Sequence, residues 1–320
     1  MSHEPSRIVW SPPDSVSAHN RDILDGRRVF FHAPPPGIGD VQTAHSTLKA
    51  GKRPRPVLQV VLTLLCAVPF TSLAMFVIWH IWYGYFPPNG NAREVGYFIL
   101  ESLLIGAGFF GVFNYVFSFR HECSFVGTHG VARFKLKKSL NAKPTVEILL
   151  FEKAADLRTG STRHFVNGIY SGTSYFHTWT DKADRKRFGF KGKYHSREGT
   201  PKVDDPYWLA ASAERAWTQY KVAEFEHHLE KTGYVSFTYG GGNEVRVGPG
   251  FFEFVVKGQP NHIAVEDIKH IQLINGQFYI QHKEARWFSG KGKFNFPYET
   301  LTNAQAFLYV MGKLTGYRFG

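Results

Sequence analysis

A chain of 320 residues is long enough for two or three structural units, each with a core of its own. Two cysteines supply no disulfide framework, and a net charge of +12 directs attention to anionic surfaces and partners. The 43% apolar content is uneven, being concentrated between Val57 and Phe119.

Residues 1–56 contain "SPPD", "APPPGIGD" and "GKRPRP", and neither a helical period nor a strand alternation persists. The expectation is a mostly disordered cytoplasmic arm. Within it, "RRVFFH" at Arg27 to His32 reads either as a short docking segment or as an incidental apolar patch. The start, "MSHEPSRIVW", has no apolar h-region, so no cleaved signal peptide is expected.

From Val57 to Phe86 the chain carries no Asp, Glu, Lys or Arg, and roughly 20 apolar residues suffice to cross a bilayer core. A second run, Val95 to Phe119, has one acid, Glu101, and small residues Ser102, Gly106, Ala107 and Gly111 at spacings that let helices approach closely. The intervening "PPNGNARE" predicts a tight turn. Lys49, Lys52, Arg53 and Arg55 precede the pair, Arg120, Arg133, Lys135, Lys137 and Lys138 follow it, and the turn offers only Arg93, which predicts a transmembrane hairpin with both termini cytoplasmic. Trp79, Trp82, Tyr83, Tyr85 and Tyr97 read as an aromatic belt near the turn. Cys66 lies in the first span and Cys123 just beyond the second, so no disulfide is expected.

Glu101 inside a span needs a partner or access to water. His80 and Glu101 each lie six residues from their helix end, roughly 9 Å deep at 1.5 Å per residue. Equal depth predicts an intramembrane polar pair across the hairpin, with Ser102, Gly106 and Gly111 as helix-packing residues. The competing expectation is a Glu101 that merely reaches the outer headgroups.

Downstream, "CSFVGTHGVARFKLKK", "PTVEILLFEKAADL", "GTSYFHTWTD" and "KRFGFKGKY" read as short strands separated by turns. A helix follows, with Asp205 as N-cap, Pro206 at its first position, Leu209, Ala213, Ala216, Tyr220 and Ala223 on one face, and Gly233 as its stop. The order then returns: strands from "YVSFTYGGGNEVRVGPGFFEFVVKG" to "KGKFNFPY", and a helix opened by a Thr302/Gln305 capping box, striped by Ala304, Phe307, Leu308, Met311 and Leu314, and closed by Gly316. "VGTHGVARF" aligns with "VGPGFFEF", "ILLFEKAADLRTG" with "IAVEDIKHIQLING", "YFHTWTD" with "FYIQHKE" and "RFGFKG" with "GKFNFP", which predicts two copies of one unit, 120–232 and 233–320.

Strands closed by one amphipathic helix, with "IAVEDIKHI" ahead of a Gly turn, make residues 120–320 resemble the bacterial pleckstrin-homology-like domains that follow transmembrane hairpins in inner-membrane proteins. The resemblance implies a membrane protein with a two-helix hairpin (spans 57–86 and 95–119) and two α+β sandwiches or barrels, each plugged by its C-terminal helix. It implies binding or assembly rather than chemistry, and it brings no ligand with it. The phosphoinositide signature of eukaryotic relatives has a basic-x-Arg after its first Lys; "FKLKKSLNAK" has Lys135, Lys137 and Lys138 without that Arg.

No nucleophile and base are paired along the sequence. "FEHHLEKTG" lacks two His four apart, "YGGGNE" is followed by neither Lys-Ser/Thr nor a helix, and His262, His270 and His282 fall on separate strands. Charge is more informative: residues 120–202 hold 17 Lys and Arg against 7 Asp and Glu, residues 233–320 only 9 against 6. "DKADRKRFGFKGKYHSR" sets Arg185, Lys186, Arg187, Lys191 and Lys193 among Phe188 and Phe190. With Lys135, Lys137 and Lys138 these, including Phe188, are the candidate contacts to anionic lipid or an acidic partner, at about 1 kcal/mol per charge at a headgroup surface. The expectation is a non-enzymatic binding or assembly platform in a bacterial inner membrane. Its expected partners are anionic headgroups and an unidentified protein, with self-association open and no nucleic acid, metal or cofactor. An inhibitory or immunity protein, and a membrane enzyme or transport component using Glu101 and His80, are the alternatives.

Overall fold

The computed structural model describes residues 9–13, 15–16, 29–49, 55–84, 91–137, 139–196, 200–202, 205–285 and 292–317. Two compact units emerge: Gly51–Glu122 with Lys135–Thr145, and Met1–Ala50 with Cys123–Phe134 and Val146–Gly320.

The first unit is built on two helices, α1 (Pro56–Tyr83) and α2 (Ala92–Val116), each starting about as predicted and ending three residues before its apolar run does. Pro56 occupies a position where a missing N–H costs nothing, and Gly84 ends α1 in the left-handed conformation, φ 73°. Asn91 caps α2 by accepting from the Arg93 N–H at 3.0 Å. Gln59, Thr63, Ala67, Thr71, Met75 and Trp79 of α1 are buried or half-buried and recur every four residues, with half-buried Cys66, Ala74 and Ile78 alongside, as a helix facing one neighbour requires. Most of what remains is apolar and exposed, including Leu65, Leu73, Trp82 and Leu103. Both helices are long and apolar enough to cross a membrane. Trp79 is not part of an aromatic belt, because it is fully buried in the hairpin, while the Tyr83 side chain, Tyr85 and the centre of the turn fall outside the described residues.

The second unit contains one element order twice. In the first half a sheet of β1 (Val41–Ser46), β2 (Arg120–Gly127), β3 (Gly130–Lys137) and β4 (Thr145–Leu150) is followed by a 3-10 turn, Phe151–Lys153, then by a sheet of β5 (Asp156–Val166), β6 (Ile169–Thr180) and β7 (Lys186–Tyr194), and by helix α3 (Tyr207–Thr232). The second half has β8 (Val235–Tyr239), β9 (Asn243–Gly248), β10 (Phe251–Val256) and β11 (Gln259–Ala264), a 3-10 turn at Val265–Asp267, then β12 (Ile268–Ile274), β13 (Gln277–His282) and β14 (Lys293–Pro297), and helix α4 (Ala304–Thr315). β1 pairs antiparallel with β2, and neighbours within β5–β7, β8–β11 and β12–β14 are likewise antiparallel. In each half both sheets and the helix share one core: Val131, Leu149, Trp179, Phe190 and Trp217 in the first, Val247, Phe254, Phe278, Phe296 and Phe307 in the second. The sequence alignment of the copies needs one change of register. The pattern pairs "LRTG" with "LING", but the turn equivalent to Asn275–Gly276 is Asn167–Gly168, at the end of a β5 four residues longer than β12.

The described part of the N-terminal segment is folded, against the expectation of a disordered arm. β1 pairs with β2, Ala44 opposite Phe125 and Ser46 opposite Cys123, so the helical hairpin is an insertion between the first and second strands of the first half. Phe30, Ile38 and Ala44 are buried with Cys123, Phe125, Ala132 and Phe134, and Trp10 packs edge-on against Phe30 and Phe125. The strand has no alternating signature because Thr43, Ala44, His45 and Ser46 are all buried: a sheet covered on both faces shows no apolar-polar alternation.

The Asp205 carboxylate accepts from the Tyr207 N–H at 2.8 Å, and Gly233 closes α3 at φ 77°. Its buried line begins with Leu209, Ala213 and Ala216 but continues through Trp217, Lys221 and Phe225, leaving Ala223 exposed. Gly316 closes α4 as expected, but the Thr302/Gln305 capping box does not form. Thr302 Oγ1 instead accepts from the Thr238 N–H at 3.1 Å, and Asn303, left-handed at φ 53°, is the residue before the helix.

Candidate functional site

Asn303 joins the two halves. Its N–H donates to the Leu157 carbonyl at 2.7 Å, its Oδ1 accepts from the Leu157 N–H at 3.0 Å and from Trp217 Nε1 at 2.7 Å, and its Nδ2 donates to Asp156 Oδ1 at 2.8 Å. Every polar group of this buried side chain is thereby used, which fixes the start of β5 against the start of α4. Burial pushes the Asp156 carboxyl above its ordinary value, and the bond from Asn303 opposes that shift.

Beside this joint lies a cleft of about 900 Å³ between the halves. Thr159 on β5, His177 on β6 and Glu214 on α3 meet there: Thr159 Oγ1 donates to Glu214 Oε1 at 3.1 Å, and His177 Nε2 lies 3.3 Å from Glu214 Oε2. Tyr298, in the 3-10 turn Tyr298–Thr300 before α4, is hydrogen-bonded to Thr159 and completes a chain of four polar groups. Burial first, then the Glu214 charge, pushes the Tyr298 hydroxyl well up; Tyr207, on the same wall, is raised by burial, Tyr194 and Glu214. Both tyrosines therefore remain hydrogen-bonding phenols through the physiological range. The sequence singled out none of these residues, since Thr159, His177, Glu214 and Tyr298 are far apart in the chain. One signal was present: Tyr175, His177 and Trp179 share the inward face of β6, and an inward imidazole calls for a polar partner.

The basic stretch lies largely on β7, where alternation sorts it. Phe188, Phe190 and Tyr194 point into the core, and Arg187, Lys191 and Lys193 are exposed. Phe188 is therefore not a lipid or partner contact: it is 4% exposed and packs with Trp179 and Phe190. Arg185 is committed to Asp181, Nε to Oδ2 at 3.0 Å, with Arg187 at 3.9 Å from the same oxygen. Hydrogen bonds from the Arg185 and Ala183 N–H groups and the Arg185 side chain hold the Asp181 carboxyl below its usual value. Lys186 is exposed at the strand's start. Lys191 and Lys193 form no ion pair among the described residues. On β3, Lys135 is half-buried and Lys137 exposed, while Lys138 lies outside the described residues. Arg133 turns inward, donating to the Gly189 carbonyl at 2.8 Å and pairing with Glu147 at 3.2 Å.

In the hairpin, Glu101 Oε2 accepts from Trp79 Nε1 at 2.9 Å. His80 is exposed and stacks on Phe76, so the expected His80–Glu101 pair is replaced by Trp79–Glu101. Consecutive helical residues are 100° apart, so 79 and 80 cannot both face α2. A second polar pin lies toward the other end, Gln59 Nε2 donating to Asn114 Oδ1 at 2.6 Å. Ser102 and Gly106 line an apolar groove of about 460 Å³ with Ala67, Thr71 and Met75, and a Cβ on Gly106 would touch Thr71 at 3.6 Å. Gly111 is no packing residue, being exposed with open space where a Cβ would sit. Among the described residues no group of three His, Cys, Asp or Glu side chains is placed to hold a metal ion.

No protein-family model and no curated protein matches this chain.

Proposed function

We propose that this chain is a two-span membrane protein whose tandem halves have the pleckstrin-homology-like architecture and act as a non-enzymatic binding platform at the cytoplasmic face of a bacterial inner membrane. The observation that carries the reading is β7, whose inner row is core and whose outer row leaves Lys191 and Lys193 exposed, as contacts to an anionic surface would need. The twice-repeated order of four strands, three strands and a closing helix supports the domain reading. The exposed apolar faces of α1 and α2 support the bilayer, since a helix from a soluble core would bury them. The pairing of β1 with β2, which flank the hairpin in sequence, supports an even number of crossings between them. The Lys and Arg residues flanking the hairpin support a cytoplasmic location for both of its ends.

Full-length protein in a nonionic detergent, titrated with short-chain phosphatidylglycerol, tests the reading. Binding should weaken with added salt, and Lys191→Ala with Lys193→Ala should weaken it by about 2 kcal/mol. Equal affinity for phosphatidylcholine, or an unchanged double variant, would overturn headgroup recognition. A reporter fused after residue 320 that registers outside the cytoplasm would overturn the topology.

A further inference from the structure

The β5–β6 hairpin is longer than its counterpart, and its end is apolar. β7 pairs with β6 only from Thr173 onward, so residues 163–172 project past the edge of the three-stranded sheet. At the tip Val166 lies opposite Ile169 across Asn167–Gly168, whose φ values of 51° and 78° suit a two-residue turn that follows the strand twist. Phe165 is 61% exposed, Val166 61% and Ile169 73%, although large apolar side chains are ordinarily withdrawn from water. The tip is held in shape: His164 Nε2 lies 2.7 Å from Ser174 Oγ, Tyr170 OH lies 2.8 Å from Thr173 Oγ1, and the Phe165 and Tyr170 rings meet edge to face at 6.0 Å. The second half shows what such a turn does without this role. There Ile274 lies opposite Gln277 across Asn275–Gly276, in strands of seven and six residues.

The surroundings of the tip are cationic. From Gly160 to Thr180 the chain has no Asp or Glu, and Arg163 is exposed two residues before Phe165. Lys193 and His195 lie over the Gly172 backbone, where the absence of a side chain admits them. Apolar residues ringed by basic ones are the pattern of segments that settle at an anionic bilayer interface, burying their apolar part 5–10 Å deep, roughly the length of three extended residues.

We propose that the β5–β6 tip is a membrane wedge, inserting Phe165, Val166 and Ile169 into the interfacial layer of an anionic bilayer while Arg163 and Lys193 engage its phosphates. The wedge rests on the membrane placement proposed above, and the following experiment separates the two. Full-length protein carrying Cys66→Ala, with fully buried Cys123 left in place, is reconstituted into lipid nanodiscs. An environment-sensitive fluorophore is attached at Ile169→Cys, at Lys182→Cys beyond the opposite end of the sheet, or at Leu73→Cys on the exposed face of α1. The Leu73→Cys label should be quenched by nitroxide lipids in any disc. In discs containing phosphatidylglycerol the Ile169→Cys label should shift its emission to the blue and be quenched, losing both effects in pure phosphatidylcholine; the Lys182→Cys label should remain water-like. A quenched Leu73→Cys label beside a water-like Ile169→Cys label in anionic discs would overturn the wedge, leave the membrane reading standing and make the tip a protein-docking surface. An unquenched Leu73→Cys label would remove the membrane reading and the wedge with it.

Discussion

The four-stranded sheets of the two halves have the same strand order and different outer faces. In the first half that face is apolar, Phe125, Ala132 and Phe134 lying under Phe30, Ile38 and Trp10. In the second it is polar: Arg246 sits between Glu244 and Glu253 at 3.1 and 2.7 Å and over the Tyr234 ring, and Ser236 bonds to Glu244. The first half also carries the inserted helices, the longer β5–β6 hairpin and most of the excess charge, whereas the second contributes Asn303 and Tyr298 to the joint. One element order can thus carry different additions without disturbing its core, because the additions fall on connections and outer faces that the core does not use.

The comparison breaks most visibly at Phe30. Phe30→Ala should lower the stability of the full-length protein in detergent by about 3 kcal/mol or more, the usual cost of emptying an aromatic site in a core. Ser236→Ala on the matching face of the second half should cost no more than about 0.5 kcal/mol. Equal, small losses in thermal unfolding would return the N-terminal segment to the status of a loose arm.

Asn303→Ala should come next. It leaves the Leu157 N–H and Trp217 Nε1 without their acceptor and places a Cβ-bearing residue without a compensating side chain at φ 53°, a loss of about 2 to 3 kcal/mol. Calorimetry should then resolve two transitions where the parent β unit gives one; a single transition merely shifted downward would mean that other contacts couple the halves.

The smallest effect concerns pH at the same joint. The Asp156 carboxyl keeps its proton to higher pH in the folded protein than the ordinary 3.8, so folding takes up a proton and this contribution to stability is lost as pH rises from 3.8 through the raised value. Asp156→Asn, which can still accept from Asn303, should remove that slope and leave stability at neutral pH equal or higher. A variant less stable at neutral pH would show that the charge itself is needed.

Much of this fold was legible in the sequence. Long apolar runs, the first without charge and the second with Glu101 alone, located α1 and α2, Gly233 and Gly316 marked two helix ends, and the repeated strand patterns pointed to the repeated element order. β1 was illegible because burial on both faces erases alternation. The composition of the basic stretch groups Phe188 with the lysines, but the period of two on β7 separates Phe188 and Phe190 from Lys191 and Lys193. For Glu101, depth along the helix alone points to His80, whereas rotation about the axis brings the neighbouring Trp79 to face it. The cleft joins residues from four separate elements, and only its inward His177 left a trace in the local pattern.

The placement of β1 ahead of the helices also has a kinetic side. Ser46 and Cys123 pair across 77 positions, and closing a flexible loop costs entropy that grows with the logarithm of its length. Once α1 and α2 have paired, only the short linkers at their ends remain to be closed, which lowers that cost by about 1 kcal/mol. The helices therefore act as a splint: formed early, they hold the two strand ends near each other, and β1, made before them, is set to dock after they have paired.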